Sequence, residues 1–190
     1  MRPATLLATL LATMFLMTRV RLVLVWPAWQ RLLHWALAAS VVAAIATHEL
    51  GRLHEVIGYA SLALALLRIG LGLAGPHEAR FASFVRGSSA TLAYARAVRA
   101  RSAPRHLNHN PLGAWMVLAL LGVVTLAAGS GALFATDRFW GLAWLANLHA
   151  VSSWSLALLV PLHIAGAILT GHHARENLIA AMFHGRKRAE

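Results

Sequence analysis

Long apolar runs separated by short polar stretches dominate the chain. Four of them reach about 20 residues, the length a helix needs to cross a hydrocarbon core. They run from about Trp29 to Thr47, Leu53 to Ala74, Leu112 to Phe134 and Leu145 to Thr170. A segment in lipid must satisfy its own backbone hydrogen bonds, so runs of this length predict helices rather than barrel strands. The expected fold class is all-α: an integral membrane four-helix bundle. Between the second and third runs lies a polar stretch, Gly75 to Asn110. Within it, Ser88–Arg101 can form a short helix capped by Ser88 or Ser89, with Leu92 and Val98 toward lipid and the arginines toward headgroups. A solvated basic loop is the alternative. Asn110-Pro111 then predicts a capped start to the third long helix.

The beginning of the chain fits this scheme least well. Ala4 to Met17 is apolar but too short to span, and no small-residue cleavage site follows it as a signal peptide would require. Met17-Thr18-Arg19-Val20-Arg21 is a more natural start for a protein whose first span begins near Trp29. Residues 1–24 are therefore set apart as an N-terminal extension, either a spare upstream segment or an interfacial one. Residues 25–190 form one transmembrane domain.

Composition sharpens the membrane reading. Of 190 residues, 59% are hydrophobic and 12% charged, and the mean hydropathy is +0.64. Soluble domains lie nearer ~45–50% apolar. The 17 Lys and Arg outnumber the 6 Asp and Glu, a balance that in a soluble protein would suggest nucleic acid. Here the basic residues gather beside apolar runs, so no nucleic-acid partner is expected. Arg2, Arg19 and Arg21 precede the first run. Arg80, Arg86, Arg96, Arg99, Arg101 and Arg105 occupy the middle loop, and Arg175, Arg186, Lys187 and Arg188 the tail. Only Arg52 and Arg138 fall on the other side. Retention of Lys and Arg in the cytoplasm places both termini and the middle loop there. With no cysteine, disulfides, thiolate iron–sulfur ligation and a cysteine nucleophile are excluded.

Redox chemistry would need an imported cofactor, and the 11 histidines are the residues to hold one. His149 and His163 in the fourth run are 14 residues apart, just under four helical turns, so they share a face about 21 Å apart along the axis. His34, near the inner start of the first run, is level with His163. His54, at the outer start of the second, is level with His149. Two pairs at two depths, each drawn from different helices, are what two stacked haems would need. Iron with two axial imidazoles has no open position, which favours electron transfer. One turn beyond each of these histidines stands a small residue, Ala38, Gly58, Ser153 or Ala167, where a large one would meet the porphyrin. A single such histidine could instead be a polar group hydrogen-bonded between helices. His48 competes with His54, although its level fits less well. His77, His106, His109, His172, His173 and His184 read as solvated interfacial groups in preference to proton-exchange sites. Arg68, deep in the second run, and Arg31, one turn before His34, suit a haem propionate or snorkelling to headgroups equally. Trp26, Trp29 and Trp35 on one side, with Trp140 and Trp144 on the other, read as interfacial belts.

Taken together, these motifs resemble the prokaryotic cytochrome b561 family, which includes the b-type cytochrome subunits of membrane-bound hydrogenases. The resemblance covers roughly residues 24–188. It rests on Trp26-Pro27 with Arg31-Leu-Leu-His34-Trp35, Leu53-His54-Glu55 with Gly58, Arg68, and Phe81-Ala-Ser-Phe84. It continues in His109-Asn110-Pro111-Leu-Gly113-Ala-Trp115, Leu148-His149, Leu162-His163, Arg175-Glu176-Asn177-Leu178 and Gly185-Arg186-Lys187. It implies two non-covalent, bis-histidine b haems, with His34 and His163 on the inner iron and His54 and His149 on the outer, the same pairs that depth selects. It further implies exchange with the quinone pool, quinone or quinol being substrate, on behalf of a redox partner such as a periplasmic cytochrome or a dehydrogenase or hydrogenase subunit.

The function expected is therefore transmembrane electron transfer in the bacterial inner membrane, by a multi-pass subunit of a quinone/quinol oxidoreductase. The lipid bilayer is the second partner, and a homodimer is allowed. The competing class is a histidine-based divalent-metal or proton transporter. Against it, metal sites usually recruit carboxylates beside imidazole, and the runs hold almost none at depth. A third reading, a membrane anchor that keeps haems only for assembly, would bind haem but resist reduction by quinol.

Overall fold

The structure, a computed structural model, describes residues 21–189. The expectations for Ala4–Met17 and for a start at Met17 lie outside the described residues. Four long helices make up most of the molecule: α1 (Ala28–Ala46), α2 (Arg52–Ala74), α5 (Pro111–Phe134) and α6 (Ala143–His173). Shorter elements lie between and after them. A 3-10 turn (His77–Ala79), α3 (Phe81–Phe84) and α4 (Ser88–Arg99) link α2 to α5, and α7 (Leu178–His184) follows α6.

Local chemistry accounts for the boundaries. Pro27 opens α1 in an extended conformation, and Thr47 closes it with its hydroxyl on the Ala43 carbonyl, 2.7 Å. The chain then reverses at Gly51, whose φ of 48° favours glycine, before α2 begins. The Asn110 side chain accepts the Gly113 N–H at 2.7 Å with Pro111 at the first helical position, the capped start the sequence predicts. The N-cap of α4 is Gly87 rather than a serine, and no side chain caps it. The Thr91 hydroxyl bonds back to the Gly87 carbonyl at 3.0 Å instead.

The long helices pack in series: α1 against α2, α2 against α5, and α5 against α6. Among the described residues, α1 and α6 make little direct backbone contact, so side chains and the tail join them. The packed centre joins Val41 of α1, Ala65 of α2, Leu121, Val124 and Ala127 of α5, and Leu156 of α6. Small residues at these contacts let backbones approach closely, as in helix packing within lipid. Ser61, Ser130 and Ser152 are buried beside them, each hydroxyl bonded to the carbonyl one turn earlier.

Outward-facing side chains are just as telling. Three helices, α2, α5 and α6, are long and apolar enough to cross a membrane, yet only 17%, 22% and 11% of their most apolar stretches are buried within the protein. Leu158 and Trp154 of α6 are 70% and 77% exposed. In water such a surface would aggregate, whereas lipid tails cover it at no cost. The remaining long helix, α1, is apolar beyond its first turns, which carry Gln30, Arg31 and His34.

The two ends of the described segment meet. Strand β1 (Leu22–Leu24) pairs antiparallel with β2 (Arg186–Arg188), with Val23 opposite Lys187. Leu22–Leu24, grouped by sequence with the N-terminal extension, is thus joined to the tail. Val25 and Trp26 N–H groups both donate to the Gly185 carbonyl. Gly185 has a φ of 79°, and a Cβ there would lie 2.5 Å from the Trp26 carbonyl oxygen, so the clasp requires glycine. Two tryptophans expected in an interfacial belt are drawn into this clasp. Trp26 is buried with the Lys187 ammonium 4.7 Å from its ring centre, and Trp35 stacks on Phe183 at 4.3 Å. The ribbon marks one end of the bundle, called here the ribbon end; the α1–α2 turn and the α5–α6 connection mark the far end.

Candidate functional site

Two imidazole pairs span the gap between the first two long helices and α6. At the ribbon end, His34 of α1 faces His163 of α6 with ring centres 6.4 Å apart. At the far end, His54 of α2 faces His149 of α6 at 6.0 Å. These separations can be tested against axial ligation. An imidazole nitrogen about 2.0–2.1 Å from a metal puts its ring centre about 3.2 Å away, so two rings flanking one metal lie about 6.4 Å apart. Both pairs fit that spacing. His48, the alternative to His54, is exposed, with Nδ1 3.2 Å from the Ile45 carbonyl oxygen and Nε2 3.7 Å from Glu49.

The far-end rings are held by backbone carbonyls. His54 Nδ1 lies 2.9 Å from the Ala44 oxygen and His149 Nδ1 2.8 Å from the Ala127 oxygen. A carbonyl oxygen only accepts, so each Nδ1 carries the proton and donates it. That leaves Nε2 of each neutral ring with a free lone pair, the tautomer a metal ligand needs. Gly131, one turn beyond Ala127, permits the approach: a Cβ there would lie 2.9 Å from His149 Cε1 and 3.0 Å from Nδ1. At Gly58, one turn past His54, a Cβ would meet nothing within 4 Å, so protein atoms leave room for a flat group on that face.

The ribbon-end rings are built differently. Among the described residues, neither His34 nor His163 has a hydrogen-bond partner; His34 instead packs edge-on to Trp35 at 5.2 Å. Cationic groups surround this end. Arg68 donates to the Ala79 carbonyl at 3.3 Å, and its guanidinium lies over the Phe81 ring at 5.1 Å. Arg31 donates to the Phe183 carbonyl, and its Nε is buried without a partner. Trp35 Nε1 donates to the Met182 carbonyl at 3.3 Å. The tail thus grips the turn of α1 that carries His34.

Of the remaining histidines, His109 departs from the expected solvated state. Its ring is 4.6 Å from that of Phe84 and 6.2 Å from that of Trp26, and Nδ1 is 3.0 Å from Asn108 Oδ1. Burial, then the positive charges of Arg68 and Lys187, push its pKa down to about 3. His106 packs against Tyr94 at 5.2 Å and is also lowered, by burial and by Arg86 and Lys187. His77, His172, His173 and His184 are exposed.

Sequence reasoning missed Gly131, the Ala44 and Ala127 carbonyls, and the tail's grip on α1. Gly129-Ser130-Gly131, a run of small residues in an apolar helix, was the one readable signal for the first of these.

A family model described as prokaryotic cytochrome b561 matches residues 25–185. No curated protein and no solved structure matches the chain.

Proposed function

The chain belongs to the prokaryotic cytochrome b561 family, multi-pass membrane b-type cytochromes of electron transfer, and on that premise we propose a two-haem carrier whose axial ligands are the two imidazole pairs. His34 and His163 would hold the haem at the ribbon end, His54 and His149 that at the far end. The observation that carries this reading is the pair of ring separations, 6.4 and 6.0 Å, each close to that of two imidazoles on one metal. Bound b haems supply one-electron redox chemistry; the protein's part is to orient the ligands and set the charge around them.

The residues divide that work. Ala44 and Ala127 carbonyls fix the tautomers of the far-end ligands, and Gly131 lets α5 approach His149. Arg68 and Arg31 would meet haem propionates at the ribbon end, a role supported by the unpartnered Nε of Arg31 and the neighbouring positive charge. Residues 25–190 would act as a single four-helix transmembrane unit, with α1 as the fourth span. The basic middle loop and tail support a cytoplasmic ribbon end in the bacterial inner membrane.

Quinone or quinol is the proposed exchange partner on one side of the reaction, with a periplasmic cytochrome, dehydrogenase or hydrogenase subunit on the other. The test is reduction of the purified protein by quinol in proteoliposomes, followed at the b-haem absorbance. Full reduction within seconds supports the reading. A haem-loaded protein that only dithionite reduces would make it an anchor rather than a quinone-linked carrier.

A further inference from the structure

Away from the two imidazole pairs, a cavity of about 170 Å³ lies at the ribbon end, between α4, the loop that follows it, the end of α6 and the tail. That is far more room than the ~10–15 Å³ a single water needs. Tyr94, Val98 and Leu169 contribute an apolar wall, and Arg105, His106 and Lys187 a cationic and polar one.

Lys187 is the group on that wall that most needs a partner. It is 3% exposed, with its ammonium over the Trp26 ring at 4.7 Å. Among the described residues it forms neither a hydrogen bond nor an ion pair. A buried ammonium carries three donors, and leaving them unused is costly. His106 Nε2 is likewise buried without a partner. Glu176, on the same wall, is already engaged. Its two oxygens accept from Arg105 at 3.2 and 3.3 Å, and Oε1 also accepts the Arg188 N–H at 3.0 Å. Burial lowers the Lys187 pKa, Glu176 opposes that shift and Arg105 adds to it. Unused donors beside a fixed arginine are the complement of an anion with several acceptor oxygens.

Position indicates which anion. Leu169 lines the cavity and is also 61% exposed on the outside of α6. Ala165, Leu162 and Leu158 continue that face at helical spacing toward the far end, all exposed, Leu158 at 70% and Leu162 at 52%. An apolar track therefore leads from a cationic cavity into the lipid, and basic pockets at the ends of membrane helices suit anionic headgroups. Inorganic phosphate would use the ammonium and leave the track idle. We propose that this cavity seats the phosphate of an anionic phospholipid, with Lys187 and His106 as donors to its oxygens and an acyl chain along Leu169, Leu162 and Leu158. The site requires the family's membrane setting and does not depend on how the four histidines pair.

Native mass spectrometry tests this on the full chain, delipidated in mild detergent and given equal amounts of phosphatidylglycerol and phosphatidylcholine. Phosphatidylcholine carries the same phosphate, with an attached cation that Lys187 and Arg105 repel. Wild type should prefer phosphatidylglycerol by about 10-fold or more, the scale of one charge-assisted hydrogen bond. Lys187→Gln removes the charge, and Val98→Trp fills the cavity from α4 without touching the clasp. Each should lower the preference about 10-fold. If circular dichroism shows Lys187→Gln unfolded, Val98→Trp decides alone. Equal retention of the two lipids, or a preference that Val98→Trp leaves unchanged, overturns the site. Phosphatidylglycerol that stays bound in excess inorganic phosphate supports a lipid occupant, whereas phosphate retained in its place overturns it.

Discussion

Gly131→Ala separates a ligand-holding role from a packing role, because the two predict opposite signs. In the middle of a helix, replacing glycine by alanine normally stabilises by about 1 kcal/mol. Here the added Cβ would stand 2.9 Å from His149 Cε1 and 3.0 Å from Nδ1, where ordinary contact begins at 3.4 Å. The ring must retreat by about half an ångström. That stretches the bond to Ala127, 2.8 Å in the wild type, to about 3.3 Å, the long end at which an N–H···O bond is much weakened. Loss of such a bond to a metal-ligating histidine typically costs 10–100-fold in affinity, about 1.4–2.7 kcal/mol. The apoprotein should therefore melt within about 1 kcal/mol of wild type, gain offsetting strain, while far-end haem is lost 10–100-fold more readily. Transfer of haem to excess apomyoglobin, followed in the visible band, measures this directly. Gly129→Ala is the control on the same helix, since a Cβ there meets nothing within 4 Å. If Gly131→Ala and Gly129→Ala release haem at the same rate, His149 is not held as argued.

Two further predictions concern the ribbon end. Gly185→Val places a β-branched residue at a φ of 79° and a Cβ 2.5 Å from the Trp26 carbonyl oxygen, costing about 2–4 kcal/mol in strain and overpacking. It should open the clasp and release the ribbon-end haem before the far-end one, visible as biphasic loss of the b band on warming; equal loss of both would show that the clasp does not support His34. His109, with a pKa lowered to about 3 from 6.5, binds its proton more readily in the unfolded chain. Its contribution to stability is thus fully present above pH 6.5 and is lost as pH falls from there toward 3. The melting temperature of wild type should drop more steeply over that window than that of His109→Gln, and parallel profiles would contradict the assignment.

How much of this was legible in the sequence depends on what each feature asks of it. The long helices were, to within about three residues at each end, because length and apolarity in lipid leave the backbone no other solution. Asn110 and Pro111 announced the start of α5 for the same local reason. The level matching of His34 with His163 and of His54 with His149 came from helical rise and from each residue's place in its run; the ring centres lie 6.4 and 6.0 Å apart. Features that depend on one helix approaching another were invisible. Nothing in the residue types at Ala44 or Ala127 marks their carbonyls as acceptors, because the backbone is the same everywhere. Trp26 and Trp35 have the composition of an interfacial belt, and only the return of the tail at Gly185 turns them inward. Arg186-Lys187-Arg188 reads as a positive tail; its pairing with Leu22–Leu24 is three residues long and shows no alternation a strand pattern could reveal. At α4, serine propensity pointed to Ser88 or Ser89, whereas the Thr91 back-bond to Gly87 moved the cap one residue earlier.

Whether the four histidines act as two pairs is read most directly from the haem content of paired double variants. Haem per chain would be quantified in purified His34→Ala/His163→Ala and in His34→Ala/His149→Ala, beside wild type. Two haems per chain are expected for wild type, one for the first double variant, which empties a single site, and none for the second, which breaks both. If the first variant loses both haems while the second retains one, the pairing is wrong.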